Sequence, residues 1–160
     1  MAATIAGLTT LGITFGYGVE SAGYAGEKPT SFTQLDRINS IDPITVTPAT
    51  IDVSALEDYV TKYAAGRGET PGTWTIGVNA TDETLTEWQN LINAYKTAKE
   101  SNLQMWFETI VPGITNGFFV IAQPPEVLPQ PGAGQNEAFT MEIPLTIVDL
   151  KGMDTKVAFT

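Results

Sequence analysis

The strongest constraint on the fold is an amphipathic helix that the sequence predicts over Asp82–Glu100. Apolar side chains recur there at three- and four-residue spacing, which gathers them on one face of a helix. This apolar stripe consists of Leu85, Trp88, Leu91, Ile92, Tyr95 and Ala98. Residues 73–78 and 103–108, on either side, alternate apolar and polar side chains as strands do. A helix with one apolar face between two strands packs across a sheet.

The start of this helix carries a capping signal. Thr84 followed by Glu87 fits a capping box, and Thr81 and Asp82 are alternative first caps. The same pattern occurs at Ser54, where residues 54–66 combine a capping-box spacing with apolar side chains at helical intervals. The sequence therefore predicts a second, short helix in that region.

Most of the remaining chain alternates like a β protein. Residues 11–19 place apolar side chains at odd positions and small ones at even positions, so one face of the predicted strand is bare. Either close approach of another backbone or subunit, or a bulged edge strand, explains this face. Residues 41–53 and 118–123 predict further strands, and residues 138–149 predict the longest one, followed by a turn at 151–152 and a last short strand at 156–159.

The chain length and two irregular segments indicate how the domain is organised. A chain of 160 residues suits one domain over 1–160. Residues 20–39 carry Gly, Pro, Ser and mixed charge without a clear period, and residues 123–136 contain four prolines and two glycines. Long irregular segments in a small domain usually have a function. We expect both to be interaction arms. Their candidate self-assembly residues are Tyr24, Phe32, Leu35, Val127 and Leu128.

Charge and missing residue types exclude several functions. The chain has 18 acidic and 8 basic residues, so a basic nucleic-acid-binding face is not expected. It has no Cys and no His, which removes disulfides, the usual zinc ligands and the common nucleophile–base pairs. We expect no enzyme activity, cofactor or metal. No apolar run reaches membrane-spanning length and no cationic leader is visible, so the chain is expected to be cytosolic at synthesis, without membrane insertion.

The order of these elements resembles that of the major tail tube proteins of long-tailed phages with non-contractile tails. The similarity covers residues 38–149 and rests on layout and local composition. The stretches that carry it are Ile51-Asp52-Val53-Ser54, the tyrosines Tyr59 and Tyr63, Gly72-Thr73-Trp74-Thr75-Ile76, the single helix, Met105-Trp106-Phe107 and Ile143-Pro144-Leu145.

The resemblance implies a mainly β (α+β) fold, a β-sandwich or barrel-like tail tube fold with one flanking helix. It implies that copies of the chain assemble into hexameric rings, which stack into the conduit for DNA ejection. The implied partners are further copies of the chain, a tape measure protein, and tail terminator and distal tail proteins. DNA would pass through without specific binding. The implied location is the virion tail, assembled in the host cytoplasm.

In such a tube, polar faces of long strands would line the channel. By alternation, the candidates are Gln104 and Glu108 on one strand, and Thr140, Glu142 and Thr146 on another. Trp106 shares a face with Gln104 and Glu108, and a bulky aromatic side chain in a channel counts against that strand.

Two other functional classes stay open at this stage. One is a carbohydrate- or protein-binding β-sandwich module, which would be monodisperse in solution. The other is the tube protein of a contractile or secretion machine, which shares the architecture. Neighbouring genes, above all a tape measure gene, would separate that alternative from the non-contractile tail tube.

Overall fold

The computed structural model describes residues 11–160, and within that range it confirms a mainly β fold with one flanking helix. The prediction of one domain over 1–160 also includes residues 1–10, which lie outside the described residues. The strands are β1 (Thr14–Val19), β2 (Thr33–Leu35), β3 (Ile38–Ile41), β4 (Thr47–Asp52), β5 (Tyr63–Glu69), β6 (Thr73–Asn79), β7 (Met105–Ile110), β8 (Asn116–Gln123) and β9 (Thr140–Thr155), and the helix is α1 (Asp82–Glu100).

Seven strands form one antiparallel sheet in the order β2-β1-β7-β8-β9-β6-β3, and β4 and β5 form a separate two-stranded sheet. β9 is the longest strand, as predicted, but it continues to Thr155. It pairs first with β6 and then with β8. The predicted turn at 151–152 does not end this strand. Gly152 adopts a φ of +73° within it, and the pairing of β8 with β9 continues past this position with shifts in register.

The large sheet curls until its two edges are close. β2 and β3 lie at opposite ends of the strand order, yet only two residues separate Leu35 from Ile38, a path of at most about 11 Å. In a flat seven-stranded sheet the edges would be about 29 Å apart. Across the interior, Phe15 of β1 and Trp74 of β6 have ring centroids 5.5 Å apart. The sheet is thus barrel-like but not closed.

The helix packs over the inner face of this sheet, near the gap between its edges. Its N-cap is Thr81, one of the alternative caps, and the predicted Thr84–Glu87 box is wrong. The Thr84 N–H donates to Thr81 Oγ1 (3.2 Å), and the Thr81 N–H donates to Thr84 Oγ1 (2.8 Å). Glu87 instead accepts from the backbone N–H of Asp36 (3.1 Å), in the link between β2 and β3. This contact ties the helix to the chain segment that crosses the gap.

Two hydrophobic clusters lie on opposite faces of the sheet. The larger one fills the space between the inner face and the helix stripe, and its largest fully buried members are Trp88, Phe15, Phe107, Ile76, Leu91, Ile92, Met105, Met141, Ile143 and Leu145. The smaller one lies on the outer face and contains Phe32, Trp106, Phe119 and Ile121, against which Val157 and Phe159 pack. The outer face of β7 and β8 is therefore covered by other parts of the same chain.

The bare face of the first strand also has an intramolecular explanation. The strand begins at Thr14 rather than at Leu11. A side chain at Gly16 would collide with the Phe159 ring and with the backbone carbonyl of Thr33. Of the explanations that the sequence left open, close approach of another backbone is the one found, and that backbone belongs to the same chain.

The predicted second helix is wrong. Residues 54–62 form the tip of the β4–β5 hairpin, and Tyr63 begins β5. Ser54 Oγ does not cap a helix: it accepts from the Lys62 N–H (2.7 Å), across the hairpin. The Ala55 N–H donates to the Asp58 carboxylate (2.8 Å), which closes a turn. No apolar surface of the described chain covers this region, so the helical spacing of its apolar residues has nothing to pack against.

Candidate assembly surfaces

The most unusual surface is the hairpin built by β4 and β5, which we call the hairpin arm (residues 46–69). All six residues of β4 and six of the seven in β5 are exposed. An isolated two-stranded hairpin is at best marginally stable in water. The exposed large apolar side chains of the arm are Val46, Ile51, Val53, Leu56, Tyr59, Val60 and Tyr63. This is far more apolar exposure than a solvated loop needs, and it favours a contact with another molecule.

The tip of the arm is held in a defined shape by its polar residues. Lys62 and Asp58 form a salt bridge of 2.9 Å. The hydrogen bond from Lys62, together with the backbone N–H of Ala55, lowers the pKa of Asp58. These contacts fix the conformation of the turn that carries Leu56 and Tyr59. Both side chains are completely exposed, at 110% and 105% of their reference areas. The tip therefore presents two apolar side chains on a preformed turn.

The segments predicted as arms differ from the hairpin arm. Tyr24 and Val127 are exposed, at 61% and 78%, as assembly residues must be before assembly. Leu128 is only partly exposed and packs against the larger core cluster, so it anchors the 123–136 segment to the body. An assembly role for Tyr24 and Val127 stays a prediction.

Two of the predicted arm residues are placed otherwise by the structure. Phe32 and Leu35 are buried in the hydrophobic clusters of their own chain, because residues 33–35 form the edge strand β2. The part of the segment before them is also fastened. The buried carboxylate of Glu20 accepts from the backbone N–H groups of Gly26 (2.9 Å) and Gln104 (2.8 Å) and from Trp106 Nε1 (3.0 Å).

A polar face extends along the first half of β9. Thr140, Glu142 and Thr146 are exposed on the outer side of the sheet, while the hydrophobic residues between them point into the core, as the alternation predicted. In the antiparallel pairing they lie opposite Asn79, Gly77 and Thr73 of β6. Thr140, Glu142, Thr146, Thr73 and Asn79 are exposed and form a polar surface on two strands, whereas Gly77 is buried. Glu142 is the single charged member of this surface. A channel-lining role for this surface stays a prediction.

The other predicted channel strand is different. Gln104 is exposed just before β7, but Glu108 is fully buried, so Glu108 cannot line a channel in this conformation. Its Oε2 accepts from the Val157 N–H (2.8 Å), and its Oε1 has no hydrogen-bond partner. Burial raises the pKa of Glu108, although the Val157 N–H, Lys28 and Lys156 act in the opposite direction. Trp106, on the same face, is covered as well.

Metal-binding clusters and membrane-spanning helices are not found in the part of the chain that the structure describes. Within 11–160, no group of three or more acidic side chains is arranged to hold a metal ion. Over the same residues, no helix is long and apolar enough to cross a membrane.

No protein-family model matches the chain, and no curated protein matches it. Among solved structures, the fold is similar to a chain of the "Cryo-EM structure of the anti-feeding prophage (AFP) baseplate, 6-fold symmetrised", with 11% sequence identity and a TM-score of 0.44. The match covers 95% of this chain and 97% of that chain. A similarity at this level is one of overall chain path and assigns no function.

Proposed function

We propose that this chain is a structural subunit of a phage-like tail, which assembles with copies of itself into stacked rings that form the tail tube. The observation that carries the proposal is the hairpin arm, an apolar hairpin whose strands are exposed and form a sheet separate from the seven-stranded sheet. The resemblance of residues 38–149 to tail tube proteins supplies the kind of assembly. No catalytic role is proposed.

The energetics favour burial of the arm in an assembly. Full burial of an aliphatic or aromatic side chain stabilises a contact by about 1.5–3 kcal/mol. Leu56 and Tyr59 alone would therefore contribute roughly 3–6 kcal/mol of gross stabilisation per subunit, before the cost of association. The hydrogen bonds that close the tip lower that cost, since the backbone of the turn is already ordered before binding.

The polar surface of β9 suits a channel through which DNA slides. It offers Thr and Asn side chains with one carboxylate, and no Lys or Arg stands among Thr140, Glu142, Thr146 and their β6 partners. Six copies would carry a formal charge of −60, six times the −10 of one chain. Such a channel repels phosphate within a Debye length of about 8–10 Å. We therefore assign the channel to β9 rather than to β7.

The remaining parts of the proposal concern the partner proteins, the location and the type of tail. The subunit would contact a tape measure protein and the tail terminator and distal tail proteins, and it would reside in the virion tail after assembly in the host cytoplasm. The resemblance favours a long non-contractile tail. The tube of a contractile or secretion machine is the alternative, and neighbouring genes distinguish the two.

The test is electron microscopy of the concentrated protein, which should show rings or tubes. A double variant, Leu56→Ser with Tyr59→Ser, should remain monomeric, because it removes the two apolar side chains of the tip. Its thermal unfolding should match that of the wild type, since both side chains are fully exposed in the monomer. The matched control, Met153→Ser, removes an exposed apolar side chain that lies outside the arm and outside the predicted self-assembly residues, and it should assemble normally.

Two results would count against the proposal. Monodisperse wild-type particles at high concentration would favour the carbohydrate- or protein-binding module instead. Normal assembly of the double variant would mean that the hairpin arm does not carry the contact.

A further inference from the structure

A hydrogen bond between the helix and the β2–β3 link crosses the gap in the curled sheet. Glu87 lies in the second turn of α1, and its Oε2 accepts from the backbone N–H of Asp36 (3.1 Å). Asp36 and Arg37 form the link between β2 and β3, the strands at the two edges of the sheet. The contact between this link and the helix therefore covers the place where the sheet does not close.

The link is short, and one of its residues has an unusual backbone conformation. Arg37 has a φ of +58°, which residues with a side chain rarely adopt. Its carbonyl accepts from the Asn79 N–H (2.9 Å), at the end of β6. The edge strand β3 follows, with a register shift between Ile38 and Ser40 in its pairing with β6. The link is thus bonded to β6 through backbone groups that do not titrate, and to the helix through a carboxyl group that does.

The side chains around Glu87 are acidic. Glu83 precedes it by four residues on the helix, and like charges at this spacing repel. The Asp36 carboxyl lies within hydrogen-bonding reach of the Glu87 carboxyl. Burial raises the pKa of Tyr17 on β1, and the charge of Glu87 raises it further, so this phenol is close as well. Within residues 11–160, the salt bridges involve neither these three carboxyl groups nor Arg37.

These surroundings favour the protonated form of Glu87. Burial raises the pKa of Glu87, the Asp36 N–H lowers it, and the carboxyl groups of Asp36 and Glu83 raise it, with a net rise above the ordinary value of 4.5. Ionised Glu87 accepts from the Asp36 N–H but repels two carboxylates. Protonated Glu87 still accepts from that N–H, and its O–H can also donate to the Asp36 carboxylate.

We propose that Glu87 is a pH-dependent latch, which holds the β2–β3 link on the helix more tightly when it is protonated than when it is ionised. Protonation adds a second hydrogen bond at the gap and removes the repulsion at Glu87. The helix, the link and the edge strand β3 are therefore joined more firmly at acid pH, and the contact opens more often at neutral pH. The latch is a property of the single chain and does not depend on the proposed assembly.

The Asp36 amide reports directly on the latch, because its proton is the one that Glu87 accepts. Its protection from hydrogen exchange is measured by NMR from about pH 4 to about pH 8, a range that spans the titration of a carboxyl group with a raised pKa. The Asn79 amide is the internal reference, since it is bonded to the Arg37 carbonyl. The ratio of the two protection factors removes the contribution from unfolding of the whole chain.

The expected result is a ratio that rises as the pH falls through the pKa of Glu87. By linkage, the rise should be about tenfold for each unit by which closing of the contact raises that pKa. Glu87→Gln should keep the latch closed at every pH, because a neutral amide group accepts from the Asp36 N–H and donates to the Asp36 carboxylate. The ratio in this variant should be constant across the range in which Glu87 titrates.

Two control variants keep Glu87. Glu100→Gln removes an exposed carboxylate at the other end of the same helix. Glu108→Gln removes another carboxyl group whose pKa is raised by burial. Both should retain the pH dependence of the wild type.

Three results would overturn the proposal. The first is a wild-type ratio that does not change with pH. The second is a Glu87→Gln variant that keeps the wild-type pH dependence, and the third is loss of that dependence in either control variant, since both would place the titrating group elsewhere. None of these results bears on the formation of rings or tubes, so failure of the latch and failure of the proposed function are distinguishable.

Discussion

Truncation of Trp88 tests whether the helix stripe carries the stability of the fold. Trp88 is fully buried on α1, in the larger core cluster, and its Nε1–H has no hydrogen-bond partner. Replacing a buried Trp by Ala costs about 3–5 kcal/mol. Removing a buried donor without a partner returns part of that cost, about 1–3 kcal/mol in general. We therefore expect Trp88→Ala to lower the free energy of unfolding by about 3 kcal/mol, the lower end of that range.

A matched variant separates the cost of the cavity from the gain of removing the unpaired donor. Trp88→Phe removes the unpaired donor but keeps an aromatic ring in the site, so it should cost less than about 1.5 kcal/mol. The assay is urea unfolding of the soluble protomer at constant m-value. A loss below about 1 kcal/mol for Trp88→Ala would show that the site does not support the fold. Equal losses for the two variants would refute the cavity argument.

Three further predictions concern residues 156–160, which follow β9, and the charge of the chain. Gly16→Val should displace Phe159, because its side chain would occupy the place of that ring, and hydrogen exchange at residues 157–160 should rise. Burial raises the pKa of Glu108 above its ordinary value of 4.5, so its contribution to stability is fully present below 4.5 and is lost as the pH rises through the raised pKa. The stability of the wild type relative to Glu108→Gln should therefore increase from neutral pH toward 4.5, and a constant difference in urea unfolding would refute this. Assembled tubes should show no binding to duplex DNA at low salt, whereas tight, salt-sensitive binding would reveal a basic surface.

The sequence correctly predicted the parts of the fold in which the spacing of apolar residues fits only one kind of secondary structure. The apolar stripe of α1 recurs from Leu85 to Ala98 within a helix of nineteen residues, and only a helix gathers it on one face. Met141, Ile143 and Leu145 alternate with exposed residues over the first half of β9, so the buried and exposed faces were assigned correctly. Both patterns depend on neighbours in sequence, which a single chain displays directly.

The alternation of apolar and polar residues did not predict which side chains are buried where a distant segment of the chain covers the strand. Glu108 and Trp106 share the outer face of β7, and alternation correctly placed them together. Val157 and Phe159, about fifty positions later, return across the sheet after β9 and cover part of this face, and Glu20 from the other side of the sequence bonds to Trp106. No local pattern records that return. The glycines of β1 were the available signal, because a bare strand face predicts that another segment lies close to it.

The hairpin arm was missed for a related reason. Leu56, Tyr59 and Tyr63 have helical spacing, and that spacing predicts a buried helix only if the same chain provides a surface to bury it. Pro48 was a signal that this region does not lie inside the main sheet, since a proline restricts its strand, β4, to an edge position. With no such surface in the described chain, the local hydrogen bonds of Ser54 and Asp58 close a turn instead. We proposed that the surface that would cover this exposed apolar hairpin belongs to another copy of the chain, and this is why we place the assembly contact there.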